Sequence, residues 1–345
     1  MPLEEPAWWY RQEPGLAASL LQPAATAYGW VARQRFERVQ SYRSRLPVIC
    51  VGNFTAGGTG KTPLALHLCR HLESISHQPV ALTRGYGGRL SGPYWVNARS
   101  DRAGDVGDES LLLACVAPTM VARDRRAGAR AIEAGPHPVT VIVMDDGLQN
   151  PALAKDFAIA VVDGGRGIGN GRVIPAGPLR APLEFQLELT DAIVVNERDA
   201  GVESATTAWL RQHFPGPVLQ TATVPAEDMG WLAGARVVAW AGIGAPERFF
   251  RMLAGLGAVV ADAMPFRDHQ LPSEADARRL LEVARRHGAT LVATEKDMAR
   301  LCGASGVLAE LAAASRPVPV KLAMAEWDAE RLSTLIDAAL KSRAG

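Results

Sequence analysis

The segment between Pro47 and Leu72 limits the fold of this chain more than any other part of the sequence. An apolar run that predicts a β-strand leads into a glycine-rich loop, and a helical pattern starts directly after Gly60-Lys61-Thr62. Together, these features predict a phosphate-binding loop (P-loop). In such a loop, backbone N–H groups and the helix dipole point at the phosphates, Lys61 reaches the β/γ-phosphates, and Thr62 ligates Mg²⁺.

This loop is a variant of the usual pattern G-x-x-x-x-G-K-[ST]. Thr55 stands where the first glycine of that pattern belongs, and the glycines are gathered at Gly57, Gly58 and Gly60 instead. Because the flanking strand and helix are both present, a site for nucleotide phosphates is a better interpretation than an ordinary glycine turn.

The composition is that of an ordinary globular protein, with 48% hydrophobic and 21% charged residues among 345. This length favours two domains over one large core. The net charge of +1 gives no overall attraction to nucleic acid, so no nucleic-acid partner is expected. The four cysteines are scattered and predict neither a disulfide framework nor a metal site. Acidic residues near the start argue against a secretory signal.

The N-terminal region, residues 1–45, combines aromatic, apolar and basic segments. Trp8-Trp9-Tyr10 precedes a run of small and apolar residues from Gly15 to Val31, which is too short and too interrupted to span a bilayer. Arginines follow at positions 33, 35, 38, 43 and 45. The pattern is typical of an amphipathic helix lying in the membrane interface, but a helix packed on its own core with a solvated basic end fits equally well.

Beyond the P-loop, apolar strand candidates alternate with helical or loop stretches, as in a parallel sheet covered on both faces. The strand candidates are Pro79–Thr83, Pro118–Ala122, Val139–Met144, Phe157–Val162 and Ala192–Val195. A second α/β unit starts near position 236. We therefore predict an α/β fold with a P-loop NTPase-type parallel-sheet domain over residues 46–225 and a smaller α/β domain over 226–325. A C-terminal helix over 326–345 is expected to pack on the first domain.

Two adjacent carboxylates, Asp145 and Asp146, follow the predicted strand Val139–Met144. Open α/β sheets bind their ligands at this edge, and in P-loop enzymes a carboxylate there holds Mg²⁺. Because two carboxylates at a buried strand end are costly without a cation or donors nearby, we predict a metal site. A solvated Asp-Asp-Gly turn is the alternative.

Asp108 and Glu109 stand at the start of a helical pattern, where capping is the default role of a carboxylate. A carboxylate facing the phosphates can also accept a proton from an attacking hydroxyl, and sequence spacing leaves both interpretations open. His269 lies in a loop of the second unit, where a lone histidine is usually a surface residue.

A nucleotide switch is the main alternative to a kinase. GTPases read guanine with Asn-Lys-x-Asp after a strand, and the corresponding stretch here is Asn196-Glu197-Arg198-Asp199, with Glu at the lysine position. This argues against a P-loop GTPase or metallochaperone-type switch but does not exclude it. A kinase or ligase for a soluble small molecule is a third interpretation, in which the N-terminal region is dispensable.

Taken together, these motifs resemble the tetraacyldisaccharide 4'-kinase family, the lipid A 4'-kinases of Gram-negative bacteria, over nearly the whole chain. In the family's order, the matching motifs are Val51-Gly52-Asn53, Gly57-Gly58-Thr59-Gly60-Lys61-Thr62-Pro63, Arg84-Gly85-Tyr86-Gly87, Gly107-Asp108-Glu109, Asp145-Asp146-Gly147 with Gln149, Pro175-Ala176-Gly177-Pro178-Leu179-Arg180, Phe266 with Asp268-His269, and Thr294-Glu295-Lys296-Asp297. The bunched glycines and the Pro-Ala-Gly-Pro-Leu-Arg segment are the specific parts, because P-loop enzymes in general lack them.

The resemblance implies a kinase that moves the γ-phosphoryl group of ATP to the 4'-hydroxyl of a tetraacylated glucosamine disaccharide 1-phosphate in lipid A biosynthesis. It also implies a peripheral, monotopic protein at the cytoplasmic face of the bacterial inner membrane, which we expect to be a monomer.

The resemblance further implies roles for individual residues. The nucleotide-binding residues would be Asn53, Thr55, Gly57, Gly58, Thr59, Gly60, Lys61 and Thr62. Asp108 would be the general base on the sugar hydroxyl, and His269 would reach in from the second domain to pair with it when the domains close. Mg²⁺ would be held by Thr62 with Asp145 or Asp146, and by Glu109.

Four residues depart from the family's usual pattern. Ser110 stands where proline is common, Leu148 and Asn150 replace an aromatic residue and a histidine, and Gln270 replaces a second histidine. None of these positions carries an assigned catalytic role.

Overall fold

The computed structural model describes residues 5–11, 13, 15–198, 201–226 and 228–344. The strands are β1 (Val48–Gly52), β2 (Pro79–Thr83), β3 (Tyr94–Trp95), β4 (Thr119–Val121), β5 (Val141–Asp145), β6 (Phe157–Asp163), β7 (Ala192–Glu197), β8 (Val218–Pro225), β9 (Arg236–Ala241), β10 (Val259–Pro265), β11 (Thr290–Thr294), β12 (Ser315–Val318) and β13 (Val320–Ala323). The helices are α1 (Leu16–Arg38), α2 (Lys61–Ser74), α3 (Ala103–Val106), α4 (Asp108–Ala114), α5 (Arg125–Glu133), α6 (Leu183–Glu188), α7 (Ala205–His213), α8 (Pro246–Gly255), α9 (Glu274–His287), α10 (Glu295–Arg300), α11 (Val307–Ala314) and α12 (Glu326–Ala344).

The larger of two sheets has nine strands in the order β13-β8-β7-β6-β1-β5-β2-β4-β3. Its inner strands are parallel, and only the two edge pairs, β3 with β4 and β13 with β8, are antiparallel. The chain passes from β5 on one side of β1 to β6 on the other. The loops that leave β1 and its neighbours therefore diverge and open a crevice at the carboxyl ends of the strands.

Both faces of this sheet are covered, because alternate residues of each buried strand point to opposite sides. Ile49 and Val51 of β1 face a layer that contains Leu64, Leu68 and Leu72 of α2. These leucines are spaced four residues apart and form the apolar stripe of one helix face. Helix α12 packs on the same layer, and the opposite strand residues form a second core.

The smaller sheet has four parallel strands in the order β10-β9-β11-β12. One face packs on α8 and the other on α9 and α11. Trp240 is fully buried on the latter face, and its indole N–H donates to Ser315 Oγ at 3.1 Å. This sheet stands beside the crevice of the larger one.

The predicted α/β class with a largely parallel sheet is confirmed, and the strand candidates from β2 to β7 lie within a few residues of the observed strands. The sequence analysis did not identify the two edge strands β3 and β13, or β8 beside β13. The chain returns to the larger sheet at Val320–Ala323, which pairs with β8. The domain boundaries at 45, 225 and 325 stay a prediction.

Helix α1 carries small residues on one side and large apolar residues on the other. Ala18, Ala25 and Gly29 are buried, and a side chain at Gly29 would meet the Pro182 ring at 3.2 Å. The exposed apolar residues are Leu16, Leu20, Tyr28, Trp30 and Val31. None of the helices in the described ranges is both long enough and apolar enough to cross a membrane.

Candidate active site

The P-loop joins β1 to α2 at the centre of the larger sheet. Gly60 precedes the first helical residue with φ +99°, and a side chain there would lie 2.8 Å from Asn196 Nδ2. Gly57 has φ +89°. Such backbone angles are costly for residues with a side chain. The glycines that replace the usual spacing are thus needed where the chain turns, and Gly58 and Thr59 lie between them.

Asn53 holds this loop in shape through hydrogen bonds to its backbone. Its side chain is buried, and Nδ2 donates to the backbone oxygens of Thr55 at 2.7 Å and Gly57 at 3.3 Å. Thr55 itself is buried, and its backbone pairs with Leu179 of the Pro-Ala-Gly-Pro-Leu-Arg segment in an isolated antiparallel β-bridge. These contacts explain why the variant loop needs Asn53 upstream and the proline-rich segment beside it.

Lys61 and Thr62 form the first turn of α2, as predicted. Lys61 Nζ lies 3.8 Å from Asp146 Oδ1, and Thr62 is buried at the helix start. Asp146 has φ +53°, which is uncommon for a non-glycine residue, although aspartate adopts it more readily than most.

Arg180 is a neighbour of this group to which the sequence analysis gave no role. Its Nη1 lies 2.7 Å from Asp146 Oδ1, and its Nε donates to Thr55 O at 3.1 Å. Burial opposes ionisation of Asp146, but the charges of Arg180 and Lys61 outweigh it and hold the pKa of Asp146 well below its usual range.

Asp145 lies at the end of β5 and differs from its neighbour in having no partner. Both carboxylate oxygens are buried without a hydrogen bond. Burial first, then the negative charges of Glu109 and Asp146, raise the pKa of Asp145 to about 7. A buried carboxylate of this kind fits a cation, which would supply the missing partner.

The donor chemistry around Asp145 fits a hard cation, because the side chains of Thr62, Asp145, Asp146 and Glu109 all offer oxygen. Within the described ranges, no group of three or more His, Cys, Asp and Glu side chains is gathered closely enough to enclose a metal ion. Mg²⁺ in nucleotide sites is usually held by one or two carboxylates together with phosphates and waters. A full protein cage is not required.

Asp108 and His269 are brought together although 161 positions separate them. His269 Nδ1 lies 3.1 Å from Asp108 Oδ2, and the Tyr86 ring lies against the imidazole with centroids 5.0 Å apart. His269 has φ +61°, so the backbone is held in an unfavourable region to present the ring. Asp108 does accept a backbone N–H at the start of α4, from Glu109 at 2.8 Å, but its other oxygen pairs with His269. His269 is part-buried and is not a free surface residue.

Two cations from α10 face the same acidic helix start. Arg300 Nε donates to Asp108 Oδ2 at 2.6 Å, and Lys296 Nζ donates to Glu109 Oε1 at 2.8 Å. Lys296 belonged to a motif already noted, whereas Arg300 was missed. The sequence feature that could have identified Arg300 is its position one helical turn after Asp297 of that motif.

The charges of this cluster determine which groups are ionised. Burial opposes ionisation of Asp108, but the hydrogen bond from His269 and the charges of Lys296 and Arg300 hold the pKa of Asp108 well below its usual range. Burial likewise opposes ionisation of Glu109, and the charges of Lys296 and Lys61 lower its pKa. Both carboxylates are therefore ionised at neutral pH.

The smaller sheet also touches the P-loop directly. A side chain at Gly244, in the loop between β9 and α8, would lie 3.1 Å from Gly58 N. Arg166 Nη2 donates to Gly244 O at 3.0 Å, and Arg248 Nη2 lies 2.9 Å from Asp163 Oδ1 at the end of β6. The Glu5 carboxylate, which also contacts Arg166, lies beside Gly57. The loop after β9 and Glu5 thus lie directly against the glycines of the loop between β1 and α2.

The stretch considered for guanine recognition has other contacts. Asn196 Nδ2 donates to Thr59 O at 3.4 Å, and Asn196 Oδ1 accepts from Thr223 Oγ1 at 3.2 Å. Glu197 accepts from Thr207 Oγ1 at 2.5 Å. Asp199 lies outside the described residues. The Asn196 and Glu197 side chains are therefore occupied within the protein.

The positions that depart from the family pattern are structural neighbours of the site. Leu148 is fully buried and leaves no room for a side chain at Gly52. Gln270 Oε1 accepts from Arg267 N at 3.1 Å, within the turn that presents His269. Asn150 Oδ1 accepts from Ala152 N at 2.9 Å, and Ser110 is buried in α4.

Comparison with known proteins gives consistent results. A sequence profile described as LpxK, tetraacyldisaccharide-1-P 4'-kinase, matches residues 17–341. A tetraacyldisaccharide 4'-kinase from Nitrobacter winogradskyi is 46% identical over 99% of this chain and 99% of its own length. One from Rhodopseudomonas palustris strain BisB18 is 48% identical over 87% of this chain and 86% of its own length.

The fold is also similar to a solved structure. A crystal structure of LpxK from Aquifex aeolicus, described as an "apo" form in complex with ATP, matches with a TM-score of 0.72 and 24% sequence identity. The match covers 94% of this chain and 100% of that chain, so the two proteins share the overall fold. From the profile and the full-length relatives, the chain belongs to the tetraacyldisaccharide 4'-kinase family.

Proposed function

We propose that this protein is a kinase that moves the γ-phosphoryl group of ATP to the 4'-hydroxyl of an acylated glucosamine disaccharide 1-phosphate. The observation that best supports this is the pairing of Asp108 with His269 beside a P-loop. A nucleotide switch needs phosphate and metal ligands, but it has no use for an acid–base pair assembled between two sheets.

The P-loop supplies the phosphate end of the site. The N–H groups around Gly57–Gly60 and the start of α2 would bind the phosphates of ATP, and Lys61 would reach the β- and γ-phosphates. As the phosphoryl group moves, Lys61 stabilises the charge on its oxygens without needing to reorient. In the described structure, Lys61 lies 3.8 Å from Asp146 Oδ1, which keeps its charge near the site.

Thr62, Asp145, Asp146 and Glu109 are the residues that would hold Mg²⁺. When bound, the ion neutralises phosphate charge and gives Asp145 the partner that its buried oxygens lack. Arg180 already holds Asp146 at 2.7 Å, so Asp145 is the carboxylate that gains most from a cation.

Asp108 receives the sugar hydroxyl. Its Oδ2 is occupied by His269 and Arg300, while Oδ1 accepts from the backbone N of Glu109 at 2.8 Å and keeps a second lone pair for the hydroxyl. Because its pKa is low, Asp108 first orients the hydroxyl. The proton moves to the Asp108–His269 pair late, as the new O–P bond forms, since phosphoryl transfer has a loose transition state.

The N-terminal helix is proposed to dock the protein on the cytoplasmic face of the inner membrane, as a peripheral monomer. Large apolar side chains of α1 are exposed, with Leu16 86% and Trp30 62% accessible, and Arg33, Arg35 and Arg38 follow them. Such a face binds an interface that contains anionic lipid.

A sedimentation assay with vesicles containing anionic lipid tests this docking. Leu20→Glu together with Trp30→Glu should move the protein from the pellet to the supernatant. Trp327→Glu is the matched control, since Trp327 is also exposed, at 70%, but belongs to α12. Equal binding of both variants would contradict membrane docking by α1.

The activity itself is tested with ATP labelled at the γ-phosphate, Mg²⁺ and the disaccharide 1-phosphate acceptor. We expect a labelled, bis-phosphorylated lipid, and we expect GTP in excess to compete poorly with ATP. Absence of transfer by folded protein that binds ATP would contradict the kinase proposal. A clear preference for GTP would favour the nucleotide switch.

A further inference from the structure

Arg300 lies between the two members of the proposed acid–base pair and the core of the smaller sheet. We infer that Arg300 is the residue that positions Asp108 and His269 for phosphoryl transfer, an inference that rests on the kinase proposed above. It is a positioning residue, because its guanidinium acts through these two side chains and is itself buried, with only 5% of the side chain accessible.

The guanidinium holds Asp108 from one side. Nε donates to Asp108 Oδ2 at 2.6 Å, and Nη2 lies 2.6 Å from the same oxygen. His269 Nδ1 approaches this oxygen at 3.1 Å, so Oδ2 is occupied by structural contacts. The arginine therefore directs the other oxygen, Oδ1, toward an incoming hydroxyl.

The same guanidinium holds the backbone that presents His269. Nη1 of Arg300 donates to Gly242 O at 2.6 Å, and this oxygen also accepts from the backbone N of His269 at 3.1 Å. Because His269 has φ +61°, its turn needs such an anchor to keep the imidazole in place. One planar group thus contacts Asp108 directly and His269 through a single shared oxygen.

The guanidinium of Arg300 is itself held by the carboxylate of Asp297. Its Nη1 lies 2.6 Å from Asp297 Oδ1, which also accepts from Gly242 N at 3.0 Å. Asp297 Oδ2 accepts from Thr294 Oγ1 at 2.6 Å, at the N-terminus of α10. The carboxylate fixes the plane of the guanidinium. This explains why Asp297 is buried without a place in the proposed chemistry.

A lysine could not replace this arrangement. The contacts require several N–H donors in one plane, directed at two carboxylates and a carbonyl, and an ammonium group offers only a point charge. An ion pair that only holds the two sheets together would not contact the acid–base pair. Arg248 with Asp163 also joins the two sheets, at 2.9 Å, but it touches neither Asp108 nor His269.

The test compares Arg300→Ala with Arg248→Met in the γ-phosphate transfer assay. We expect Arg300→Ala to lower kcat about 100-fold with KM for ATP within about threefold, since misplacing reacting groups by about 1 Å has effects of this size. Added methylguanidinium should raise the kcat of Arg300→Ala about tenfold, and added methylammonium should not raise it. Arg248→Met should lose thermal stability, and methylguanidinium should not change its kcat.

Each outcome has a consequence. A folded Arg300→Ala protein with kcat within about threefold of wild type would overturn the inference, and so would equal rescue by the two cations. If Arg300→Ala does not fold, Arg300→Lys takes its place, and wild-type kcat in that variant overturns the inference. If wild-type protein gives no product, the proposed kinase activity fails instead, and this is seen before any variant is compared.

Discussion

Two strand–glycine-loop–helix units face each other across the crevice. In the larger sheet, β1 leads through residues 53–60 into α2, and in the smaller sheet β9 leads through residues 242–245 into α8. Both loops contain glycine, and both helices begin at the carboxyl end of a parallel strand. Only the first helix begins with Lys61 and Thr62; the second begins with Pro246.

Under the proposed function, only the first of these two units binds phosphate, so a strand, a glycine loop and a helix are not sufficient by themselves. Proline at the start of α8 has no N–H to donate, and the loop before it is too short to encircle an anion. Gly244 instead approaches Gly58, so the second unit covers the first. The smaller sheet supplies the cations and the histidine that surround Asp108, whereas the larger sheet supplies the phosphate loop.

The largest effect is expected at the lysine that distinguishes the two units. Lys61→Met should lower kcat about 1,000-fold, because it removes a positive charge that stabilises the transferred phosphoryl group. Initial rates of phosphoryl transfer measure this. Lys321→Met, on β13, is the control and should keep wild-type rates. A loss below tenfold for Lys61→Met would mean that the two loops differ less than their sequences indicate.

The next effect concerns what the smaller sheet contributes. Asp108→Ala and His269→Ala should each lower kcat about 100-fold or more and change KM little, because the pair acts on the transition state. The kcat of the double variant should lie within about threefold of the kcat of the slower single variant, since the effects of residues that act as a unit do not add. Full additivity in the rates would assign the two side chains to separate tasks.

An alanine in each loop compares the backbones directly. Gly60→Ala should raise KM for ATP about tenfold and lower the free energy of unfolding by about 1–2 kcal/mol, because φ is +99° there. Gly244→Ala should change KM about threefold, since its side chain only has to displace neighbours 3.1 Å away. Steady-state kinetics measure KM for ATP in both variants, and urea unfolding measures their free energies of unfolding. Equal effects would show that both loops are under similar strain.

The smallest effect contrasts one buried carboxylate from each sheet. Because burial raises the folded-state pKa of Asp145 to about 7, its favourable contribution is complete below pH 4 and is lost as the pH rises through 7. Asp145→Asn should therefore gain a few degrees in Tm over wild type at pH 8, but not at pH 4.

Asp297→Asn is the matched control for that comparison. Burial raises the pKa of Asp297 as well, but its carboxylate keeps partners in Gly242, Thr294 and Arg300. Asparagine would leave the buried Arg300 charge without its carboxylate, so this substitution should lower Tm at pH 8. Thermal unfolding of the nucleotide-free proteins checks both changes. A destabilised Asp145→Asn at pH 8 would mean that this carboxylate has a partner in solution without a metal.

How far the sequence predicted the molecule depended on the distance between the residues concerned. The P-loop pattern, the buried strands and the two carboxylates at the end of β5 lie within short stretches and were found from residue pattern alone. Asp108 and His269 were assigned through the family resemblance, and their own local patterns indicated capping and exposure. Arg180 was seen only as part of a motif, and Arg300 was missed, because each acts on a residue far away in the chain.

The sequence by itself therefore determined the α/β class with a largely parallel sheet, the strand–glycine-loop–helix segment of β1 and α2, and the family, since strand burial, helix starts and glycine turns are specified by neighbouring residues. Only the tertiary structure decided which charges meet. His269 is 161 positions from Asp108, and Arg300 is 192. The physical reason is that these contacts form only when the two sheets pack. The burial that results then determines which carboxylates are paired and ionised, as Asp108 is, and which, like Asp145, have no hydrogen-bond partner.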